Sequence, residues 1–370
     1  MLNEKSEPTQ SSLSTIYKSS SIIRNFNADF SIYFTKLSLK ITIYVWFNLT
    51  MDFLQVKSDK KFKKLSLELF NFHYNKNDNY REFCDKIKIN SCEVNSIEKI
   101  PFLPIIFFKN KKISIRKIDH QKIFESSGTG GLKSKHFIHK LQLYDLSIKK
   151  CFERIYGKIS DYVIIGVTPD FNSKNNSSLI YMINELIKKS KRNESQFLMN
   201  GGRFDSLTKK LEKENKKYIV YGLSHALLDL IEIKKYDLKK SIIIETGGMK
   251  GLREEIEKDK LHRILSSGFN TPNVHSEYAM TELLSQSYST KNQIFSSPPW
   301  KKILVKDFND PLKVHSYGRG FLNIIDLSNK YSCPFISTED VGEVFDDGNF
   351  KIFGRGSNAD LRGCNLMLAN

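Results

Sequence analysis

The sequence predicts an α/β fold with a largely parallel sheet, followed by a smaller β-rich part. From about residue 100 onward, short apolar runs alternate with amphipathic helical patterns, as in parallel sheets covered by helices. After Pro298 the strand-like runs are shorter, as at 302–306 and 350–353. Together these patterns indicate layered α/β subdomains joined to a β-rich subdomain.

Three strand–helix pairs make up the predicted α/β part. The strands are expected at 162–165, 218–221 and 241–244, and the helices at 179–187, 224–230 and 252–265. The last helix places glutamates early and Lys260, His262 and Arg263 late, which the helix dipole favours. In such sheets ligands bind at the carboxyl ends of the strands, so the loops that follow them are the first places to look for function.

Composition narrows the class of protein. The 370 residues carry a net charge of +17, but the lysines are dispersed, which favours a solvated surface over a nucleic-acid interface. The five cysteines have no paired spacing, which argues against disulfides and a zinc site and fits a reducing cytoplasm. The apolar run 41–49 is shorter than the roughly 20 residues of a membrane span. A cytoplasmic protein without a membrane span or bound nucleic acid is expected.

The first 50 residues differ from the rest. Residues 1–21 are rich in Ser and Thr, and 30–49 are aromatic and β-branched without clear periodicity. A helical pattern then begins, with Leu65, Leu69 and Phe70 among its apolar positions. We therefore predict a dispensable extension over 1–50 and a single functional domain over 51–370.

Several side chains that could bind a nucleotide or a metal ion lie close together in the segment 275–282. Tyr278 can stack on a flat ring, Thr281 can hold a phosphate, and Glu282 can bind Mg²⁺, which takes oxygen ligands together with substrate phosphates. Leu283 and Leu284 follow and suggest the start of a helix. Taken alone, the segment is more typical of a polar loop that caps a helix.

Two glycine-containing loops are candidate phosphate and nucleotide contacts. The loop 126–131 reads Ser-Ser-Gly-Thr-Gly-Gly, with Lys133 and Lys135 behind it, and offers backbone, hydroxyl and cationic groups to a phosphate. It is not a Walker loop, because Lys133 stands where the second glycine is required. The loop 245–251, with Gly247 and Gly248, follows a predicted strand. The alternatives are a flexible linker and a strand-to-helix turn.

Near the C-terminus, Asp340 lies in a Ser-Thr-Glu-Asp-Val-Gly run and Arg355 follows Gly354. An aspartate can bind the two hydroxyls of a ribose, and an arginine can bridge ribose and phosphate. Singly, each is compatible with a turn or a surface charge. The order of the features along the chain is more informative than any one of them.

That order resembles the adenylate-forming enzyme superfamily and, more closely, the LuxE-type acyl-protein synthetases. The resemblance runs from about residue 51 to the end of the chain. The matching stretches are 126–135, 245–251, 275–286, 298–300 and 362–367. It implies the N-terminal domain of an adenylate-forming enzyme without the usual C-terminal lid domain. It also implies that ATP and Mg²⁺ activate a long-chain fatty acid as acyl-adenylate, which passes to a cysteine and then to a partner such as an acyl-protein reductase.

The resemblance also assigns roles to individual residues. Cys364 occupies the position of the acylated cysteine, Thr281 that of the α-phosphate contact, and Glu282 that of the magnesium ligand. The nucleotide would be bound by Ser126, Ser127, Gly128, Thr129, Gly131, Gly247, Gly248, Tyr278, Asp340 and Arg355.

Two alternative functions retain nucleotide binding but differ in the reaction that follows. An acyl-CoA or acyl-carrier ligase of the phenylacetate-CoA ligase type would share the first half-reaction but not the protein thioester. A nucleotide-binding scaffold without catalysis is conceivable because Gly130 stands where the superfamily usually has a second threonine.

Overall fold

The computed structural model describes residues 52–356, apart from 117, 128–130, 170–175, 200, 250–252 and 255. The α-helices are α1 Asp59–Lys76, α2 Asp78–Lys86, α3 Phe107–Asn110, α4 Leu141–Tyr156, α5 Ser178–Ser190, α6 Gly201–Lys213, α7 Ser224–Ile233 and α8 Lys258–Phe269. Short 3₁₀ helices lie at Asp52–Gln55, Ser91–Glu93, Ile97–Lys99 and Ile159–Asp161.

The strands are β1 Leu103–Pro104, β2 Lys122–Glu125, β3 Lys135–Ile138, β4 Val163–Val167, β5 Gln196–Phe197, β6 Tyr218–Leu223, β7 Ser241–Thr246, β8 Val274–Tyr278, β9 Ser287–Ser289, β10 Phe295–Ser296, β11 Lys301–Lys306, β12 Val314–His315, β13 Gly318–Asp326, β14 Phe335–Val344 and β15 Phe350–Arg355. The predicted strands at 162–165, 218–221, 241–244, 302–306 and 350–353 are therefore confirmed within a few residues.

One large sheet contains both predicted parts. Its parallel half runs in the order β5-β4-β6-β7-β8. From β8 onward the sheet continues through antiparallel neighbours in the order β9-β10-β15-β14-β13-β11-β12, and β1 adds to β14 in parallel. The mixed α/β prediction is confirmed, but the β-rich part extends the same sheet.

The central parallel strands are buried on both faces, which explains their continuous apolar sequences. In β4, Val163, Ile165 and Val167 pack into one hydrophobic cluster, while Ile164 packs into the other. Because successive side chains of a strand point to opposite faces, a strand between two layers needs apolar residues at every position. This sandwiched half of the sheet gives the carboxyl ends of β7 and β8 a rigid support.

The predicted helix at 252–265 is wrong in its position. Residues 253, 254, 256 and 257 are not helical, and α8 begins at Lys258. Lys258 Nζ donates to both carboxylate oxygens of the buried Glu245, at 2.7 and 2.9 Å, and this contact holds the beginning of the helix. Asp259 is thus the acidic residue of the first turn, and the last turn of α8 carries no basic residue.

The predicted extension at 1–50 lies outside the described residues, so its dispensability stays a prediction. Among the helices of the described part, none is long and apolar enough to cross a bilayer.

Candidate active site

The Ser/Gly loop is the tip of a hairpin. Strands β2 and β3 pair antiparallel, with Glu125 opposite Lys135. The Ser126 N–H donates to the Ser134 carbonyl at 3.0 Å, and the Ser134 N–H donates to Ser126 Oγ at 3.0 Å. Ser127 and Gly131 are exposed on the tip, whereas Gly128 and Thr129 lie outside the described residues. The hairpin therefore holds both ends of the loop, at Ser126 and Ser134.

A buried histidine joins this hairpin to the segment that contains Thr281 and Glu282. His136 of β3 lies with Nδ1 2.7 Å from the Thr281 carbonyl and Nε2 3.1 Å from Asn329 Oδ1. Asn329 in turn donates to the Glu282 carbonyl at 2.8 Å. Burial lowers the pKa of His136 to about 4. Because the Thr281 carbonyl can only accept, Nδ1 carries the proton in that contact. Two residues distant in sequence therefore fix the backbone at both positions.

This buried histidine predicts a measurable loss of stability in mild acid. An unfolded histidine takes up its proton near pH 6.5, but folded His136 does so only near pH 4, so the unfolded state binds more protons in between. The contribution of His136 to the unfolding free energy is therefore complete well above pH 6.5 and is lost progressively as the pH falls toward 4. The unfolding free energy of the wild type should fall between pH 7.5 and 5.5, and in His136→Gln this fall should be smaller by about 1 kcal/mol. Urea denaturation at the two pH values measures it.

The matched control for that experiment is His120→Gln, because His120 is exposed. It should leave the pH dependence of the unfolding free energy as in the wild type. Equal slopes for H136Q and the wild type would contradict the buried, neutral state of His136.

The predicted helix start at Leu283 and Leu284 is wrong. Residues 279–286 form an irregular connection between β8 and the antiparallel β9, with both leucines buried. A buried irregular backbone must find hydrogen-bond partners outside itself. His136 and Asn329 supply part of them, and Asp326 accepts from the backbone N–H groups of Leu284 and Ser285 at 3.0 and 2.9 Å. Side chains from distant elements thus replace the hydrogen bonds of a helix.

Glu282 has the environment of a cation ligand. Its side chain is 4 % exposed, and burial raises its pKa, which a hydrogen bond with Ser134 partly offsets. A buried carboxylate is stabilised by a nearby positive charge, and the half-buried Thr281 adds a hydroxyl. Among the described residues no group of three or more His, Cys, Asp or Glu side chains could hold a metal by itself. One carboxylate beside a hydroxyl fits Mg²⁺ that takes its other ligands from phosphates and water.

Tyr278, Asp340 and Arg355 come together although they are far apart in sequence. The Tyr278 hydroxyl donates to Asp340 Oδ2 at 2.7 Å, and Arg355 Nε lies 3.4 Å from Asp340 Oδ1. Burial raises the pKa of Asp340, while Tyr278 and Arg355 lower it. The Arg355 side chain is 77 % exposed, so its guanidinium remains accessible to a ligand.

Irregular pairing in β14 accounts for the position of Asp340. The register between β13 and β14 shifts between Phe321 and Asn323, where β14 has two more residues than its partner, so the strand bulges at 338–340. Thr338 Oγ1 closes the bulge by accepting from the Asp340 N–H at 3.1 Å and donating to the Leu322 carbonyl at 2.7 Å. Asp340 is the cross-strand partner of Arg355 on β15. The bulge and this pairing keep the carboxylate beside the arginine.

The glycine loop lies at the same edge of the sheet. Gly247 and Gly248 directly follow β7 and have positive φ values of 78° and 59°, which glycine adopts without strain. Because β7 and β8 are parallel neighbours, this loop and Tyr278 both lie at carboxyl ends of strands. The Thr246 hydroxyl also donates to the Glu277 carboxylate. The positive φ values of Gly247 and Gly248 are also what the alternative, a simple strand-to-helix turn, requires.

Several residues with a structural role in the site were not predicted from the sequence. Glu245 is fully buried at the end of β7 and also accepts from the Ser224 and Ser276 hydroxyls at 2.6 and 2.5 Å. The sequence contained a hint of this network, because Glu245 directly follows the apolar residues of a predicted strand, where a glutamate would be buried and in need of partners. His136 and Asn329 carried no comparable signal, because the site residues that they hold, Thr281 and Glu282, are more than 40 residues away.

The described site thus combines three sets of contacts. The hairpin and Asn329 hold Thr281 and Glu282, Tyr278 binds Asp340 beside Arg355, and the Gly247–Gly248 turn lies next to β8. Cys364 lies outside the described residues.

Comparison with known proteins gives long matches. The "Long-chain-fatty-acid--luciferin-component ligase" of Aliivibrio fischeri is 26% identical over 348 residues, covering 83% of this chain and 87% of that protein. The protein of the same name from Vibrio harveyi is 23% identical over 335 residues, covering 81% and 85%. The solved structure of ATP-bound MatB from Rhodopseudomonas palustris has a TM-score of 0.49 and 14% identity, covering 63% of this chain and 48% of that one.

The family comparison covers most of the chain, including the hairpin, the segment 278–286 and the bulged strand β14. The family model described as "Acyl-protein synthetase, LuxE" matches residues 45–370. The chain therefore belongs to the LuxE acyl-protein synthetase family.

Proposed function

We propose that this ligase activates a long-chain fatty acid with ATP to an acyl-adenylate and transfers the acyl group to the thiol of Cys364. The thioester would then deliver the acyl group to a partner protein such as an acyl-protein reductase. The observation that carries the proposal is the contact of Tyr278 with Asp340 at one end of a segment whose other residues, Thr281 and Glu282, contact the Ser/Gly hairpin. Groups suited to a nucleoside and to phosphates thus occur together, and the relatives named above are by name long-chain-fatty-acid ligases.

The nucleoside would be bound by Tyr278, Asp340 and Arg355. A ribose diol suits the Asp340 carboxylate, which has one oxygen with Tyr278 and the other facing Arg355. The exposed guanidinium can bridge to the α-phosphate by its planar fork. The Tyr278 ring and the Gly247–Gly248 backbone offer flat surfaces for the adenine.

The triphosphate would lie between the hairpin tip and Thr281. Ser126 and Ser127 offer hydroxyl and backbone donors, and Lys133 and Lys135 add positive charge close behind. Glu282 and Thr281 fit Mg²⁺, which supplies charge neutralisation for the phosphates when it is bound. These groups are preorganised because the backbone of Thr281 and Glu282 is held by buried partners.

The proposed chemistry has two balanced steps. In the first, a carboxylate oxygen of the fatty acid attacks the α-phosphorus of ATP, the bond to pyrophosphate breaks, and a mixed anhydride with AMP forms. In the second, a thiolate attacks the acyl carbonyl, the anhydride bond breaks, and AMP leaves with the bonding electron pair. The role of the protein is to bind, orient and neutralise charge in the first step and to present the nucleophile in the second.

The environments of three of the other four cysteines argue against them as that nucleophile, whereas Cys92 is exposed. Cys84, Cys151 and Cys333 are buried, and burial raises the pKa of each thiol to about 12, which suppresses the thiolate. Cys364 follows Arg355 by nine residues, a stretch that can span up to about 30 Å when extended. Its sulfur is therefore within chain reach of an adenylate bound beside Asp340 and Arg355.

Fatty-acid-dependent exchange of labelled pyrophosphate into ATP tests the first step. The full chain should catalyse exchange only when ATP, Mg²⁺ and a long-chain fatty acid are all present. Exchange without added thiol or coenzyme A is expected, because the adenylate forms before any acceptor is needed. A complete absence of exchange across fatty acids of different lengths would contradict the proposal and favour the nucleotide-binding scaffold.

A further inference from the structure

A buried lysine and a buried aspartate on neighbouring strands, hereafter the Lys301–Asp326 pair, lie against the segment that connects Tyr278 to β9. Lys301 of β11 and Asp326 of β13 are cross-strand partners. Lys301 is 2 % exposed and Asp326 is fully buried. Buried charges are costly unless paired and hydrogen-bonded, so their contacts indicate what the pair does.

Both members of the pair bind Ser285. Lys301 Nζ donates to the Ser285 carbonyl at 3.0 Å. Asp326 accepts from the Leu284 and Ser285 N–H groups through one oxygen and from the Ser285 hydroxyl through the other, at 2.7 Å. The backbone donor and acceptor of one residue are thus held by two charges on neighbouring strands.

Lys301 also contacts the other end of the segment. Its Nζ lies 5.3 Å from the centre of the Tyr278 ring, a distance typical of a cation–π contact. The same ring donates its hydroxyl to Asp340, so Tyr278 is held at its face and at its tip. Burial lowers the pKa of Lys301, and the nearby Asp326 counteracts this.

We infer that Lys301 is a positioning residue for nucleotide binding. Acting with Asp326, it fixes the Tyr278 ring and Ser285 and thereby the ends of the stretch that carries Thr281 and Glu282. Lys301 is too buried to contact a bound nucleotide, so it acts through Tyr278. The inference rests on the proposed function, because it assumes that Tyr278 contacts ATP.

The test compares Lys301→Met with Lys302→Met. Methionine keeps most of the length of lysine but removes the charge and the donor. Lys302 lies on the same strand, points to the opposite face, and donates to Asp59 at 2.6 Å. In pyrophosphate exchange, K301M should raise KM for ATP at least tenfold and leave KM for the fatty acid within twofold. K302M should change neither constant by more than twofold.

Tryptophan fluorescence provides a readout that is independent of activity. The Trp300 indole N–H donates to Ser285 Oγ at 2.8 Å, so its emission reports how that residue is held. To make Trp300 the sole tryptophan, the fluorescence experiment uses the Trp46→Phe background for the reference protein and for each lysine variant. K301M should shift the Trp300 emission to the red and increase its quenching by acrylamide, and K302M should not.

The two readouts separate failure of the inference from failure of the proposed function. A wild-type chain without exchange activity would refute the proposed function, while the Trp300 emission would still test whether Lys301 holds the segment. A K301M protein with wild-type emission or an unchanged KM for ATP would overturn the inference.

Asp326→Asn is the second variant, because it leaves Lys301 in place and weakens the same contacts. It should show the same selective rise in KM for ATP, and folded D326N with a wild-type KM would overturn the inference. If neither K301M nor D326N folds, that result also overturns it, in favour of a role in stability alone.

Discussion

Replacing Cys364 with serine should abolish covalent labelling of the protein by radioactive fatty acid in the presence of ATP and Mg²⁺. Serine has nearly the same size but is a far weaker nucleophile, and an oxygen ester would not release the acyl group to hydroxylamine as a thioester does. Pyrophosphate exchange should continue at the wild-type rate within about twofold, because the thiol acts only after the adenylate has formed. After electrophoresis, we would measure the radioactive label that stays on the protein in acid and is released by neutral hydroxylamine. The exchange assay is run on the same preparation.

The matched control is Cys92→Ser. Cys92 is the exposed cysteine among the described ones, so it is the accessible competitor for a surface thiol reaction. C92S should be labelled like the wild type. Undiminished labelling of C364S would refute the assignment of the nucleophile. Unlabelled wild-type protein that forms acyl-CoA from added coenzyme A would favour the coenzyme A ligase alternative.

Glu282→Gln should reduce fatty-acid-dependent pyrophosphate exchange about 100-fold or more. The amide keeps the shape of the side chain and an oxygen, but it removes the negative charge that fits Mg²⁺ in a buried setting. We also expect a higher Mg²⁺ concentration for half-maximal exchange, obtained by titrating Mg²⁺ at fixed ATP. The hydrogen bond of the Glu282 backbone with Asn329 does not depend on the carboxylate, so the fold should persist.

Glu343→Gln serves as the comparison for Glu282. Glu343 lies on β14 and pairs with Arg319 at 3.3 Å, so its replacement removes a carboxylate that is not part of the proposed site. It should leave both the exchange rate and the Mg²⁺ requirement unchanged. An E282Q enzyme with a wild-type Mg²⁺ titration would exclude Glu282 as the metal ligand.

Hydrophobic patterning located the central elements because burial on two faces leaves no ambiguity. The runs that became β4, β6 and β7 are apolar at consecutive positions, as a strand between two helical layers requires. Helix α8 was misplaced because its start depends on the contact of Lys258 with Glu245, which lies 13 residues earlier on another element. Local charge patterning around 254–263 contains no trace of that contact.

The segment 279–286 illustrates the same limit at the candidate site. Its leucines favoured a helix, yet its backbone is bound by side chains from β3, from β11, from the end of β13 and from the turn after β13. Such partners are 16 to 145 residues away in sequence, so no local pattern predicts them. The residue types at Tyr278, Thr281 and Glu282 nevertheless pointed to nucleotide chemistry, because side-chain chemistry does not depend on the backbone conformation.

By itself, the sequence determined the fold class, the order of the motifs and the resemblance to LuxE-type synthetases, which the family match from 45 to 370 confirms. Only the tertiary structure decided that Tyr278 binds Asp340, that His136 holds Thr281, and that Lys301 lies against the Tyr278 ring. The physical reason is that side-chain type and apolar periodicity are local properties of a chain. Hydrogen bonds between buried groups, by contrast, are set by strand order and register, which exist only after the sheet has formed.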